Sequence, residues 1–301
     1  MGSPASHIGV ASRASHITLY PPKTDLETAF QLVRKAKVPQ IPDIVLALKR
    51  ELARPEPDIR SVSDLVAKDI AITGQLLKTI NSPAFNPRSK ISSVQQAVSM
   101  LGIKRLANLV TAEAITRMLQ GMDGAVRVIW ETIMEEARVT AAIARVVKTV
   151  SADEAYLFGI MHDVGCLIFG SAASGYGPEW ILRSNVSPKS LLAYEIDSLG
   201  IDHATVGFLL ARHWQLPEQI ALAIYHHHDD GYIPGEDHKV RTLVAMLKLA
   251  HYLVALSHGT HEHSEMISYR EDAWQELEIS EQDWNTLCSQ AECGELSALP
   301  D

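Results

Sequence analysis

Apolar residues recur at intervals of three and four along nearly the whole of this 301-residue chain. Such spacing places them on one face of an α-helix, whereas a half-buried strand needs alternation at every second residue. No convincing run with a period of two is present, and the β-branched residues follow the helical spacing as well. The sequence therefore predicts an all-α fold, a compact multi-helix bundle of about a dozen helices.

Composition divides the chain into three predicted parts. Residues 1–22 are rich in Ser, Ala, Gly and Pro and end at a Pro-Pro pair, which predicts a flexible N-terminal arm. Residues 23–258 carry the helical pattern and are predicted to form one domain, with a first part over 23–120 and a second part over 121–258. Residues 259–301 are predicted to form a helical extension.

The net charge of −9 is distributed unevenly along the chain. Residues 1–120 hold 16 Lys/Arg and 9 Asp/Glu, whereas residues 121–301 hold 11 and 27. An acidic total argues against broad coating of nucleic acid, which needs a positive field to displace counterions. Nucleic acid is therefore the third-ranked partner, suggested only by the basic first part, and an uneven scatter of surface charge accounts for the asymmetry more simply.

Cysteine usage and the N-terminus favour a reducing compartment. The chain has three cysteines, Cys166, Cys288 and Cys293, and none forms a C-x-x-C pair. The first residues lack the apolar stretch of a signal peptide, and no run approaches the ~18 uninterrupted apolar residues of a membrane span. The prediction is a cytoplasmic protein with no membrane partner.

Histidines and acidic residues gather at separate points of the second part. His162 and Asp163 lie inside an apolar segment, where a charged carboxylate is costly unless it is paired or bound to metal. Imidazole and carboxylate are ligands that suit zinc, iron, manganese or nickel. The other candidates are His203 after a capping Asp202, the run His226–His228, and His251 in the next predicted helix.

Each of these histidines could also have a purely structural role. His162 could be a core histidine bonded to a backbone carbonyl, and the run could be surface charge at a helix C-terminus. Consecutive helical residues are about 100° apart, so the three histidines of the run cannot all face one site. The order His-Asp, then His, then His-His across separate helices is more specific than any single residue.

This order resembles the HD superfamily of metal-dependent phosphohydrolases. The first part narrows the resemblance to the HDOD domain, the HD-related output domain of bacterial signalling proteins, over about residues 26–257. Ile70 stands where that family usually has proline. The stretches that carry the likeness are VPQIPD (38–43), KDIAITGQLLKTINS (68–82) and ISSVQQAVSMLG (91–102).

The resemblance implies a metal pocket that is changed at two positions. Trp130 matches a family tryptophan, but Thr132 stands where catalytic members supply a first histidine, and His251 stands where they supply an aspartate. Glu136 lies one turn beyond Thr132 on the same helix face, so these two residues are the predicted lining of a ligand pocket. The predicted metal ligands are His162, Asp163, His203, His227, His228 and His251.

These departures favour a non-catalytic regulatory module, as the HDOD resemblance also implies. It would bind a signalling protein, or a nucleotide-type ligand in the old pocket, and hold at most one divalent ion such as iron, manganese, zinc or nickel. The alternative is a metal-dependent phosphohydrolase that acts on a nucleotide or cyclic dinucleotide. The residues alone leave open whether the chain is an enzyme.

Overall fold

The computed structural model describes residues 18–36, 40–119, 124–173, 175–184, 187–230 and 237–298. Within these ranges the chain forms helices and no strands, which confirms the all-α prediction. The helices are α1 (Lys23–Lys35), α2 (Asp43–Leu52), α3 (Ile59–Ala67), α4 (Ile70–Ile80), α5 (Val94–Leu101), α6 (Ile103–Leu119), α7 (Ala125–Val147), α8 (Ala152–Met161), α9 (Val164–Ala172), α10 (Tyr176–Arg183), α11 (Pro188–Leu199), α12 (His203–His213), α13 (Glu218–His226), α14 (His238–Ser257), α15 (Ser264–Leu277) and α16 (Glu281–Glu292).

Short polar side chains and one glycine define several helix ends. The sequence predicts a cap at Ser92 or Ser93 and a helix end at Gly102. Ser93 caps α5 by accepting a hydrogen bond from a backbone N–H, and Gly102 ends that helix with a positive φ of 81°. The sequence also predicts a cap at 61–64, and that prediction is wrong. Asp58 caps that helix instead, because its carboxylate accepts from two backbone N–H groups of the first turn.

The second part is built around α7, α8 and α14. Helix α7 packs along both α8 and α14, and α14 in turn packs against α15. Two segments, Ala152–Ala172 and His238–Ser257, have the length and apolar composition of membrane spans, yet 83% of each such window is buried inside the fold. Their apolar character is therefore that of core helices.

Two glycines allow the close helix crossings that place the later site. A Cβ at Gly159 in α8 would lie 2.5 Å from the Cα of Ala137 in α7. A Cβ at Gly165 in α9 would lie 2.2 Å from the carbonyl oxygen of His203 in α12. Both distances are far below van der Waals contact, so a larger residue would push apart the helices that carry the site residues.

The first part surrounds α6, which packs on α2, α4 and α5 and also on α8 of the second part. Of the predicted arm, residues 1–17 lie outside the described residues. From residue 18 the chain lies on the second part, where the Tyr20 hydroxyl donates to Glu218 Oε1 at 2.9 Å. The Tyr20 ring also packs edge-on against Phe208. The three predicted domain ranges stay predictions.

Candidate metal centre

Five helical segments converge on one buried cluster of histidine and acidic side chains. They are α7, the α8–α9 junction, the start of α12, the end of α13, and α14. The residues that they supply are at most 9% exposed and comprise Glu136, His162, Asp163, His203, His227, His228 and His251. Six of the seven are the metal ligands predicted from the sequence, and the structure brings all six together.

Four of these side chains form what we call the four-donor group: Asp163, His203, His227 and His228. His203 Nε2 lies 3.1 Å from Asp163 Oδ1, 3.4 Å from His227 Nε2 and 3.0 Å from His228 Nε2. Ligands at the usual distance from a tetrahedral zinc ion lie about 3.4 Å apart. The donor atoms are thus already spaced for a single small divalent ion.

Glu195 orients the first imidazole of the group. One oxygen of Glu195 accepts from His203 Nδ1 at 2.7 Å and from the His203 backbone N–H at 2.9 Å. The other oxygen accepts from the hydroxyl of Tyr176. A carboxylate that receives the Nδ1 proton fixes the ring and leaves Nε2 as the free ligand atom.

The other two imidazoles are oriented in the same way. His227 Nδ1 donates to the carbonyl oxygen of Ile224 at 2.6 Å, and His228 Nδ1 lies 2.8 Å from the Tyr269 hydroxyl. The Ile224 carbonyl can only accept, so it assigns the ring proton of His227 to Nδ1, whereas the Tyr269 hydroxyl can donate to or accept from His228. Where His203 and His228 both carry their ring proton on Nδ1, their Nε2 lone pairs face each other at 3.0 Å and repel unless a cation or a proton lies between them.

A three-donor group adjoins the first and consists of Glu136, His162 and His251. Glu136 lies with Oε2 at 3.1 Å from His162 Nε2 and accepts from His251 Nδ1 at 2.7 Å through Oε1. Burial alone would raise the pKa of Glu136, but His251 and His162 hold it at about 2. Asp163 Oδ2 lies 3.6 Å from His162 Nε2, so Asp163 stands between the two groups.

Three sequence expectations are decided by where the side chains point. His162 Nδ1 donates to the Gly159 carbonyl at 2.7 Å, so it is both a core histidine bonded to the backbone and a member of the cluster. His226 points away from the cluster, as the helix geometry requires, and pairs with Asp229 and the Leu19 carbonyl. The run is buried and is not surface charge.

Of the two predicted pocket residues, Glu136 joins the cluster and Thr132 does not. Glu136 reaches inward and is 4% exposed. Thr132 is only half-buried, and its hydroxyl donates to the Val128 carbonyl of its own helix at 3.2 Å. The Thr132 hydroxyl is bonded within its own helix. The polar contact from α7 to the cluster therefore comes from the Glu136 carboxylate, one turn later.

The protonation states of three members of the four-donor group suit metal binding. Burial would raise the pKa of Asp163, but His162 and His203 hold it well below the usual range of a carboxyl. Burial lowers the pKa of His227 to about 4 and that of His228 well below its usual range. An ionised carboxylate and neutral imidazoles are the forms that coordinate a cation, so no proton needs to leave these three side chains first. Burial would lower the pKa of the fourth, His203, but Cys166, Glu195 and Asp163 hold it well above its usual range, so His203 must release a proton when a cation binds.

Unpaired buried atoms give an independent test of whether a metal fits. Among the described residues, Asp163 Oδ1, His162 Nε2 and His251 Nε2 are buried and make no hydrogen bond of ordinary geometry. Such atoms are rare in folded proteins because leaving them unpaired costs free energy. Asp163 Oδ1 and His162 Nε2 lie within the cluster, at 3.1 Å from His203 Nε2 and 3.6 Å from Asp163 Oδ2 respectively, and bound cations would satisfy them. These buried groups could therefore hold a metal.

Comparison with protein families assigns the chain to a known group. The model of the HDOD domain matches residues 38–230, which is more than half of the chain. The chain belongs to the HDOD domain family. This assignment confirms the resemblance drawn from the three sequence stretches, although the HDOD match ends before α14 begins.

Solved structures share the HDOD fold. The chain is 22% identical to an HDOD domain protein of unknown function from Geobacter sulfurreducens, with a TM-score of 0.63 and coverage of 92% of this chain and 99% of that one. A Shewanella amazonensis SB2B protein, provisionally named a phosphohydrolase, gives 21% identity, a TM-score of 0.64 and coverage of 90% and 98%. At these identities the likeness shows the fold alone.

Two further relatives differ in length from this HDOD chain. A Marinobacter aquaeolei VT8 protein, provisionally named a signal transduction protein, is 19% identical with a TM-score of 0.61, over 92% of this chain and 66% of that one. An uncharacterised protein of Treponema pallidum (strain Nichols) is 26% identical over 218 residues, 70% of this chain. The HDOD chain spans 42% of the length of that curated relative.

Two residues that orient imidazoles of the cluster were missed from the sequence. Glu195 and Tyr269 orient His203 and His228, and both are fully buried. Glu195 follows Leu191 by four residues and so lies on the same helix face. A charged residue on an apolar face was the signal in the sequence that could have found it. Tyr269 lies 41 residues after its partner histidine, and nothing near it in the sequence points to the site.

Replacing Tyr269 by phenylalanine is expected to weaken metal binding about tenfold without changing the number of ions bound. The phenol is the partner of His228 Nδ1, and loss of such a partner typically costs 10–100-fold in metal affinity. Competition with a chelator of known affinity measures the change. Tyr252→Phe is the matched control, since Tyr252 is also buried but stacks on Trp284. Equal affinities for the two variants would contradict the assigned role of Tyr269.

Proposed function

We propose that this chain is a metal-loaded signalling module that acts by binding a partner protein, and that its buried metal centre stabilises the helical bundle without turning over a substrate. The observation that most supports this proposal is the four-donor group, in which four protein side chains surround one position. Structural metal sites are closed by four protein ligands, whereas catalytic zinc sites keep one position for water or substrate. The module would hold one divalent ion on Asp163, His203, His227 and His228.

Burial supports the same proposal. His203 and His227 are 0% exposed, and Asp163 and His228 are each 6% exposed. A phosphoester must reach the metal-bound nucleophile, and a centre this enclosed offers a substrate little room. The ion would instead tie the α8–α9 junction to α12 and α13, so that metal binding contributes directly to folding stability.

A signalling role gains support from the family and from the relatives. The HDOD family model covers most of the first part and much of the second. A relative of the same fold is provisionally named a signal transduction protein. The partner we propose is a protein, and a cytoplasmic location remains part of the proposal.

Metal analysis combined with a hydrolysis assay tests the proposal. Protein purified without added metal is expected to hold about one tightly bound divalent ion per chain, and His203→Ala is expected to hold none. Neither should hydrolyse bis(p-nitrophenyl) phosphate above background when manganese, iron or nickel is added. Turnover by the native chain that disappears in His203→Ala would overturn the non-catalytic proposal.

One observation favours a metal-dependent phosphohydrolase as the second candidate. Glu136, His162 and His251 offer three donors with further positions open, and Asp163 lies between them and the four-donor group. Two ions about 3.5–4 Å apart, with a bridging carboxylate, can clamp the attacking and leaving oxygens of a phosphoester. Two bound ions per chain together with phosphoester turnover would favour this candidate.

A further inference from the structure

A separate cleft lies far from the metal centre, between the first part, α7 and the C-terminal extension. Its volume is about 1160 Å³. One wall is the end of α4 with the segment that leads to α5, the second is α7 around Ala142 to Val146, and the third is α16 with residues 295–296. Arg145 lies nine residues beyond Glu136 on α7, which is roughly 14 Å along the helix axis.

The cleft is basic although the chain as a whole is acidic. Lys78, Lys90 and Arg145 line it, opposed by a single carboxylate, Glu295. The two lysines make no ion pair within the described part of the chain. Both lysines belong to the first 120 residues, whose excess of positive charge the metal centre does not use. Three cations face one carboxylate around this concavity, and the excess of positive charge favours an anionic occupant.

The Arg145 side chain and the backbone between α4 and α5 are held in place before any ligand arrives, while the Lys78 and Lys90 side chains are exposed. Arg145 Nη1 donates to the carbonyl of Pro83 at 2.8 Å, which fixes one side of the guanidinium and leaves other N–H groups free. Asn81 fixes the segment between α4 and α5. Its side chain accepts from the Ile91 N–H at 2.8 Å and donates to the carbonyls of Leu77 and Ile91. A preorganised wall loses less entropy on binding.

The floor of the cleft is apolar. Ile91 and Leu287 are each only 2% exposed and reach it from opposite sides, and Val146 lies beside them. Small-molecule sites combine such a floor with a few charged groups that fix orientation. The volume far exceeds what inorganic phosphate needs, so the occupant should carry an apolar or planar body as well as its charge.

We propose that this cleft binds a nucleotide, with its phosphate between Lys78, Lys90 and Arg145 and its base on the apolar floor. Lysine and arginine are the side chains that recognise phosphate, as point charge and as planar fork respectively. The proposal assigns a role to the C-terminal extension, since α16 supplies one wall through Leu287. It does not depend on the function proposed for the metal centre.

Titration calorimetry on the full chain with AMP tests the proposal, with adenosine and inorganic phosphate as part-ligands. AMP is expected to bind with a Kd below about 1 mM, and each part-ligand more weakly. The double variant Lys78→Glu, Lys90→Glu should lose at least tenfold in affinity for AMP. The matched control is Lys68→Glu, Lys104→Glu, which makes the same charge change at two exposed lysines outside the cleft and should shift affinity less than twofold.

A variant of the metal centre and an acidic peptide test whether the cleft itself binds the nucleotide. Asp163→Asn should bind AMP as the native chain does, because the metal ligands are not part of the cleft. Absence of AMP binding, or AMP binding that both double variants reduce equally, would overturn the proposal. Binding of a polyglutamate peptide in place of AMP, lost in the cleft variant, would overturn it too and assign the cleft to an acidic protein partner.

Discussion

Replacing Asp163 by asparagine is expected to leave the chain folded and unable to retain its metal ion. The carboxylate is the one anionic donor of the four-donor group and stands between it and the three-donor group. The amide is nearly the same size, so the helix packing around it is preserved. The affinity loss should exceed the 10–100-fold that removal of a ligand's hydrogen-bond partner costs. Elemental analysis of the purified variant measures it.

The same variant should lack the thermal stabilisation that the proposed metal ion would give the native chain. An ion at 100 times its Kd stabilises a folded protein by about 2.7 kcal/mol, and a chain that cannot bind gains nothing. His226→Ala is a sharp control, because His226 is a buried neighbour of His227 that points to Asp229 and Leu19. If His226→Ala released the metal and Asp163→Asn kept it, the assignment of the centre would be wrong.

Replacing Glu113 by glutamine is expected to make the stability of the protein markedly less dependent on pH between about 5 and 8. Glu113 lies in α6, is 1% exposed, and accepts a hydrogen bond from Thr79 Oγ1 in α4 at 2.6 Å. Burial raises its pKa to about 7, although Thr79 and Tyr156 oppose the shift. The unfolded chain releases this proton near the ordinary value of 4.5, so native stability falls as the pH rises from 4.5 to about 7.

Glutamine cannot ionise, so it removes this loss. The free energy of unfolding of Glu113→Gln, relative to that of the native chain, should rise by about 2–3 kcal/mol between pH 5 and pH 8. Urea unfolding at both pH values measures the difference. Glu27→Gln, at an exposed position of α1, should show no such trend. A constant difference between Glu113→Gln and the native chain would mean that Glu113 titrates normally.

Helical periodicity predicted most of this fold because each helix buries one apolar stripe. The helices that it predicts at 103–119, 203–214, 239–257, 264–278 and 281–291 end within a few residues of the observed α6, α12, α14, α15 and α16. It predicts no helix between 170 and 202, where α10 and α11 lie, because that stretch opens with Gly and Ser and offers a weaker pattern. The wrong cap of α3 has a local cause, since Asp58 and the 61–64 segment both offer side-chain oxygens near the helix start.

The sequence predicted which histidine and acidic residues gather in the cluster, but it did not predict the residues that orient them. The order of His162, Asp163 and the later histidines follows the chain, so a family resemblance carries it. Glu195 and Tyr269 act only because tertiary packing brings them to Nδ1 of a ligand. The inward reach of Glu136 was likewise open in the sequence, since a helix face does not reveal which neighbour it meets.

Helices α14 and α15 both supply side chains to the centre, and this bears on where the chain can be joined to another domain. The family match stops at residue 230, but His251 and Tyr269 lie beyond it, and Lys248 binds the Asp229 carbonyl and the Asp272 carboxylate. The segment that the family match covers is therefore shorter than the segment that builds the cluster. A junction that joins this chain to another domain belongs after α16, because α16 packs against α14 and supplies one wall of the proposed cleft.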